Sequence, residues 1–564
     1  MLKQGAARTE ELVSRIRGLD SGKRRQLFTR LQQMGIEVAR LPIVPAIDGS
    51  DTPLSYAQQR QWFLWQLEPD GCAYNIPAAL RLRGALDVAA LAESVAWLGR
   101  QQASLRTRLE EVEGEVRQRF DQDGIALLQV EDCPLPSAER ERKVQASVAT
   151  ELCTPFNLTA GPLWRVRLLR MADDDHLLLL SLHHLISDGW SMGVLVEQLL
   201  GGYASFAMGT EPVLPAPAIQ YGDYAHWQRE WMESGERERQ LGWWMQALGR
   251  ERPVLELPTD HARPPRQSYR GARLEVALPS TLGYALRELA QAHEATPFML
   301  LLASFQALLH RYSGQVDIRV GVPNANRNRL ETEGLIGLFV NTQVMRAEIS
   351  QGLRFDQLLE QVRLMALGAQ AHQDLPFEQL VEALQPERSL SINPLFQVMY
   401  NHQHVGTGRI AQQLPGLQVE ALNLDNQTAQ LDLALETYDH GDAFSAVLIY
   451  ATDLFEAASV ERLAKHWLHL LHSIIADPQG RIDQLPMLDA EERELALRGW
   501  NATATEYPLD TPVQRLIEAQ VARTPDAEAL VFGDVRLSYA ELDARANQLA
   551  NRLIAAGVGP DVLV

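Results

Sequence analysis

The chain has 564 residues, room for roughly three to four domain-sized units. Hydrophobic residues at 46% and charged residues at 22% exclude disorder as the main state, and a net charge of −20 excludes a surface built to neutralise nucleic acid or anionic lipid. Cys72, Cys133 and Cys153 lie far apart with no C-x-x-C pair, which argues against a disulfide framework or a thiolate zinc site.

MLKQGAARTEELVSRI has no signal-peptide core, and LLLLSLHHLI and FMLLLASFQALLH are too short and interrupted to span a bilayer. A cytoplasmic protein is expected. In chain order, residues 9–34 read as two short amphipathic helices, followed by the Pro-containing connector RLPIVPAIDGSDTPLS. Residues 1–45 are expected to be a helical linker, either packed on the next domain or docking an upstream protein. Strands are expected in NIPAALRLRGAL, VRQRFD, ALLQVED, WRVRLLRM and HLLLLSLHH, and helices after Asp87 and over 137–152. The Pro-rich VLPAPA, 213–218, marks an internal boundary.

A second half then repeats the theme. ARLEVALP, DIRVGVPNA, LFVNTQVMRAEI and FSAVLIYATDLF read as strands among the helices LGYALRELAQAHEA, TPFMLLLASFQALLHRYSG and SVERLAKHWLHLLHSIIAD. Two α/β halves of one plan suggest a cleft between them. The aromatic-rich QWFLWQL and HWQREWMESGERERQLGWWMQ read as helices whose rings serve the core. The expected division is 46–217 and 218–488 for the two lobes, 489–510 for a linker, and 511–564 for the start of another domain.

The densest chemical signal is SLHHLISDGWS, residues 181–191. A Leu-rich strand ends in His183 and His184, which must point to opposite faces. Asp188 and Gly189 then make a turn into a helix, whose N-terminal amides favour developing negative charge. An imidazole beside a helix start suits acyl transfer. There is no G-x-S-x-G elbow, no nearby cysteine and no H-E-x-x-H, so direct attack of one substrate on another is favoured over an acyl-enzyme or a metal.

HHLISDGWS is similar to the HHxxxDG motif of condensation domains in nonribosomal peptide synthetases. SYAQQRQWFLWQL (from Ser55), SLRTRL (from Ser104), YGDYAHWQ (from Tyr221), IGLFVNTQVMR (from Ile336), HQDLPFEQLV (from His372) and RSLSINPLFQVMYN (from Arg388) resemble that family's other motifs, in order. LSYAELDARANQLA (from Leu537) resembles the first core motif of an adenylation domain, with no phosphate loop, catalytic lysine or carrier-protein serine accompanying it.

The resemblance implies an α/β fold: a two-lobed pseudo-dimer of chloramphenicol-acetyltransferase-like folds in a V with a central tunnel. It implies peptide-bond formation between thioesters on an upstream donor and a downstream acceptor carrier protein. Phosphopantetheine enters on those carriers, and the chain itself is expected to bind no cofactor, metal or nucleotide. A monomer beside an adenylation domain is expected, with no nucleic-acid or membrane partner. His184 is the implied catalytic group, as general base or positioning group, and Gly189 offers close backbone approach and an amide toward the oxyanion. His183 and Asp188 are implied to be structural, with Arg327 as the partner of Asp188. Trp190 and Ser191 would narrow the acceptor side, and Asn341, Thr342, Gln373 and Asp374 would line the tunnel or cap elements. Arg60 and Arg106 are expected in internal ion pairs. The wording QRQWFLWQLEP, together with the preceding helical segment, resembles condensation domains that accept a D-configured donor downstream of an epimerase, which implies a D-donor and an L-acceptor. The alternatives are an epimerisation domain, a partner-recruiting member of the same superfamily without catalysis, and, more remotely, a free-standing acyltransferase acting on soluble amines.

Overall fold

The computed structural model describes residues 15–36, 38–46, 52–122, 124–213, 216–384, 391–404, 414, 416–422, 424, 427–441 and 443–564. The chain divides into two compact units, Met1–Met487 and Leu488–Val564.

The first unit opens with α1 (Ser21–Gln33), which starts where the Asp20 side chain accepts the Lys23 amide and stops before Gly35. Of the helix expected before it, the residues through Ser14 lie outside the described residues. α1 packs on the chain after Trp231: Thr29 Oγ1 donates to the Ser234 carbonyl at 3.2 Å and Arg25 pairs with Glu233.

Next come β1 (Thr52–Pro53), α2 (Tyr56–Leu67), β2 (Asn75–Gly84), α3 (Val88–Gln101), β3 (Thr107–Val112), β4 (Glu115–Phe120), β5 (Leu128–Asp132), α4 (Ser137–Leu152), β6 (Trp164–Ala172), β7 (Asp175–His183) and α5 (Gly189–Ala207). The second half contains α6 (Tyr221–Trp231), α7 (Arg237–Leu248), β8 (Gly271–Leu278), α8 (Ser280–Ala292), α9 (Pro297–Ser313), β9 (Asp317–Asn324), α10 (Leu330–Glu333), β10 (Asn341–Glu348), α11 (Phe355–Ala371), α12 (Phe377–Leu384), β11 (Val398–His404), β12 (Leu417–Leu422), β13 (Leu433–Asp439), β14 (Phe444–Ala451) and α13 (Ala457–Ala476). Residues 214 and 215 of the Pro-rich join, and Arg388–Leu390 of the RSLSIN segment, lie outside the described residues.

Each half is built on one mixed sheet, in the orders β12-β2-β7-β6-β5 and β10-β9-β11-β13-β14-β8, and β1-β4-β3 form a small third sheet. β7 is buried at every residue because apolar layers cover both its faces. Leu178, Leu180 and Leu182 enter the main first-half core, while Leu177 and Leu179 pack on the opposite face with Val144 of α4. Each such leucine contributes about 1.5–3 kcal/mol of burial, so the end of β7 is a rigid place to mount a side chain. In the second half, α9 is capped by Thr296, carries Pro297 at its first position and ends at Gly314, with everything from Leu300 to Leu309 buried.

Strands β3, β11, β12 and β13 are findings beyond the sequence reading. β12 crosses from the second half to pair antiparallel with β2 of the first, Leu417 opposite Gly84. A Cβ on Gly84 would stand 2.1 Å from the Gly416 carbonyl oxygen, so this crossing needs glycine. Among the described residues no helix is long and apolar enough to cross a membrane.

The second unit holds α14 (Ala490–Glu494), α15 (Val513–Arg523), the hairpin β15 (Glu528–Phe532) and β16 (Val535–Ser538), and α16 (Tyr539–Ala555). Of its apolar side chains only Leu537 is buried, among the described residues.

Candidate active site

His183 closes β7 and His184 begins a single 3-10 turn, so adjacent side chains leave the strand in opposite directions. His183 is buried at 4% exposure, and its Nδ1 accepts the Leu185 amide at 3.0 Å. Phe156 stands edge-on to it at 6.1 Å. Burial, with His184 adding to it, pushes its pKa down to about 3, so it is a neutral packing group.

His184 is half-buried. Its backbone amide donates to the Tyr74 carbonyl at 2.8 Å, and its Nδ1 lies 2.8 Å from the Ser187 carbonyl. A carbonyl only accepts, so Nδ1 carries the proton and Nε2 presents a lone pair. Burial pulls the imidazole below its ordinary value, against the opposing pull of the Ser187 carbonyl and the Asp188 charge. The group is therefore neutral near pH 7, with one nitrogen fixed and the other able to take a proton.

Asp188 fastens this loop to the second half. It caps α5 through the Ser191 amide at 2.7 Å, accepts the Phe339 and Val340 amides at 2.9 and 3.2 Å, and pairs with Arg327 Nη2 at 3.3 Å. Arg327 is buried, donates to the Thr332 and Leu335 carbonyls at 2.5 and 2.8 Å, and lies over the Phe339 ring at 4.2 Å. The 335–340 segment approaches closely enough that a Cβ on Gly337 would meet the Tyr221 ring at 2.0 Å.

Ser191 is corrected by the structure. Instead of narrowing an open acceptor side it is fully buried, donating to the Gly337 carbonyl at 2.7 Å and accepting from Arg327 at 2.6 Å. Trp190 is half-buried, with Nε1 donating to the Glu333 carbonyl at 3.1 Å. Gly189 is the exposed first residue of α5, and a Cβ there would meet nothing within 4 Å. Neither protein packing nor backbone conformation demands glycine; the space in front of it is open.

Asn341 acts as a cap. Its Nδ2 donates to the Gln373 and Leu375 carbonyls at 2.9 and 2.7 Å, and its Oδ1 accepts the Phe377 amide at 3.0 Å, at the start of α12. The Gln373 side chain accepts from Asn324 at 2.7 Å, and Thr342 is half-buried opposite Pro323. Burial raises Asp374 to about 6, beside Arg329 and Gln240. Arg60 does form an ion pair, with Glu378 at 3.8 Å. Arg106 forms none among the described residues: its Nε donates to the Gly99 carbonyl at 2.9 Å and its Nη1 to the Asp121 carbonyl at 3.4 Å. The tryptophans of the aromatic-rich helix segment serve the core, with Trp227, Trp231 and Trp244 buried. Sequence reasoning missed Tyr74, whose only local signal is its place before the β2 run, and the Tyr221 hydroxyl, which donates to the Leu338 carbonyl at 2.6 Å and bonds Ser55 at 2.8 Å. Among the described residues no three His, Cys, Asp or Glu side chains are grouped to hold a metal.

Comparison with known proteins adds the following. Residues 49–497 match the family model of the condensation domain, and residues 517–564 match that of AMP-binding enzymes. The chain is 42% identical over 542 residues to a linear gramicidin synthase polypeptide of Brevibacillus parabrevis, covering 96% of this chain and 10% of that protein. With a second linear gramicidin synthase polypeptide of the same organism it shares 40% over 530 residues, 93% of this chain and 7% of that protein, so it spans a tenth or less of these relatives. Among solved structures, the X-domain from teicoplanin biosynthesis is 26% identical with a TM-score of 0.72, covering 79% of this chain and all of that one. Mixed sheets in two α/β halves and this structural likeness agree with the chloramphenicol-acetyltransferase-like plan expected from sequence.

Proposed function

The chain belongs to the condensation-domain family, and from that premise we propose that its first unit forms a peptide bond between two carrier-bound thioesters. The observation that carries the reading is His184, with Nδ1 bonded to the Ser187 carbonyl and Nε2 left to accept. The amine of the acceptor aminoacyl thioester attacks the donor thioester carbonyl. A C–N bond forms, the C–S bond breaks, and the donor pantetheine leaves as its thiol. An α-amino group has an ordinary pKa of about 8, so about a tenth of it is already the nucleophilic free base at pH 7 and the base need not be strong. His184 Nε2 accepts the hydrogen bond that orients the amine, takes its proton as attack makes it acidic, and releases that proton to the departing sulfur. Such a base contributes about 10²–10⁴-fold.

Gly189, at the first turn of the 19-residue α5, leaves room for the reacting carbonyl and turns its amide toward the oxyanion. Asp188 and Arg327 hold the loop. Trp190, Thr342 and Gln373 border the tunnel through which the two phosphopantetheine arms arrive, from an upstream and a downstream carrier protein. The residues from about 511 open an adenylation domain that neighbours this one, in a monomeric cytoplasmic assembly line.

The finer reading is a D-donor and an L-acceptor. The test supplies matched D- and L-aminoacyl donor carriers with an L-aminoacyl acceptor carrier and weighs the acceptor-bound product. Dipeptide from the D-donor in at least tenfold excess is expected. Equal use removes the stereochemical reading, and no dipeptide from either makes the recruiting alternative the better account.

A further inference from the structure

Tyr269 has φ 59°, in the left-handed region that a bulky side chain occupies only when its surroundings hold it there. They do. Its carbonyl accepts the Ala429 amide at 2.9 Å, Gly271 N donates to the Gln427 carbonyl at 2.8 Å, and Arg270 bridges to Thr428. The ring so placed is half-buried and meets Tyr74 edge-on, with centroids 6.4 Å apart. Tyr74 in turn stands 6.5 Å from the His184 imidazole and holds the His184 amide with its carbonyl.

Tyr74 belongs to the first half and Tyr269 to the second. The halves also touch beside them, where Gln430 Nε2 donates to the Ala73 carbonyl at 3.4 Å and Arg266 faces Glu68 at 3.6 Å. Neither ring belongs to the apolar cores, so packing alone does not account for a tyrosine at a position that favours glycine. Burial first, and Tyr74 next, raise the Tyr269 phenol to about 12. It stays protonated at working pH and takes no part in proton transfer.

We propose that Tyr269 is a positioning residue, whose ring braces Tyr74 so that the two phenols, one from each half, form an aromatic wall holding the acceptor amine against His184. The inference rests on the peptide-bond reading above. It makes the site bipartite, because the wall is complete only while residues 266–271 sit against residues 68–75. Strain is retained at Tyr269 because the ring must reach across.

The informative substitution is Tyr269→Gly in the full chain, since glycine removes the ring and also relieves the backbone. The melting temperature is expected to equal or exceed that of the parent, while kcat for dipeptide formation falls about tenfold or more and KM for the donor carrier stays within twofold. Tyr269→Phe, which keeps the ring, is expected to restore most of the loss. Independently of activity, an NMR titration of the His184 imidazole should show its pKa rising toward 6.5 in the glycine variant, as water reaches the ring. Asp188, Arg60 and His183, the charged and titratable groups that act on His184, are unaltered by the substitution. A glycine variant with parental rate and parental His184 titration overturns the proposal. So does one whose activity falls together with its melting temperature, because that marks a structural role. If the parent forms no dipeptide from loaded carriers, the peptide-bond reading fails instead, and the titration alone decides whether the wall exists.

Discussion

Three residues separate His184 from Asp188, and their surroundings are opposite in kind. Asp188 sits at 2% exposure with every visible interaction inward: two amides from the second half, one from its own helix, and a buried guanidinium. His184 is half-buried, with one nitrogen committed to a carbonyl and no hydrogen-bond partner on the other among the described residues. One side of the loop is sealed, and in the peptide-bond reading proposed above the other faces the reactants. The contrast teaches that one short motif carries two separable duties, so stability and rate should respond to different substitutions.

The largest expected effect lies on the open side. His184→Ala should lower the single-turnover rate of dipeptide formation by about 10²–10⁴-fold, about 3–5.5 kcal/mol of barrier, with calorimetry showing little change in melting. A comparable loss of stability would erase the contrast. On the sealed side, Asp188→Ala leaves Arg327 buried without its carboxylate, at a cost of about 3–5 kcal/mol in denaturant unfolding. The double substitution Asp188→Ala with Arg327→Met should be less destabilising than the sum of the two singles; additive losses would mean that the pair is not coupled.

Ser191→Ala sharpens the same boundary. It removes an acceptor for Arg327 and the Gly337 amide, so about 1–3 kcal/mol of stability should disappear. Activity measured well below the melting transition should remain within a few-fold, whereas a residue facing substrate would lose rate without losing stability.

The smallest effect is in the pH dependence. Because the folded-state pKa of His183 is depressed from 6.5 to about 3, its contribution to stability is complete above about pH 6.5 and is lost as pH falls below that. The slope from this one group is at most about 1.4 kcal/mol per pH unit. His183→Asn keeps an acceptor for the Leu185 amide and cannot titrate. Denaturant midpoints between pH 4 and 6 should fall less steeply in the variant than in the parent, and identical slopes would place the titrating group elsewhere.

Much of the open side was legible in the sequence. Adjacent strand residues face opposite ways, so SLHHLISDG already separates His183 from His184, and the stretch of leucines before them marks a strand with two covered faces. The pairing of Asp188 with Arg327 spans 139 residues and came through family resemblance rather than local pattern. Ser191 was misplaced because residues after a turn read alike whether the helix N-terminus meets solvent or a second lobe. The carbonyl acceptors of Arg106 were not foreseen because such acceptors leave no trace in composition. β12 was missed for a related reason: nothing in LQVEAL says which sheet a six-residue segment will join, since its register is set by Gly84 and its neighbours more than 300 residues earlier.

That strand bears on where such a chain can be cut and rejoined. A chimaera joined at the Pro-rich stretch 213–218 takes its first half from one parent and β12 from the other, so the outer strand of the amino-terminal sheet becomes foreign to the strand it must cover. Leu417–Leu422 would have to fit Ala79–Gly84 side chain by side chain, with the glycine retained where the backbones nearly touch. A poor fit would leave the β2 edge open to pairing between molecules. The boundary read from the Pro-rich stretch and the structural seam are therefore different, and an exchange that transfers residues 417–422 together with the first half keeps that edge strand with its native partner.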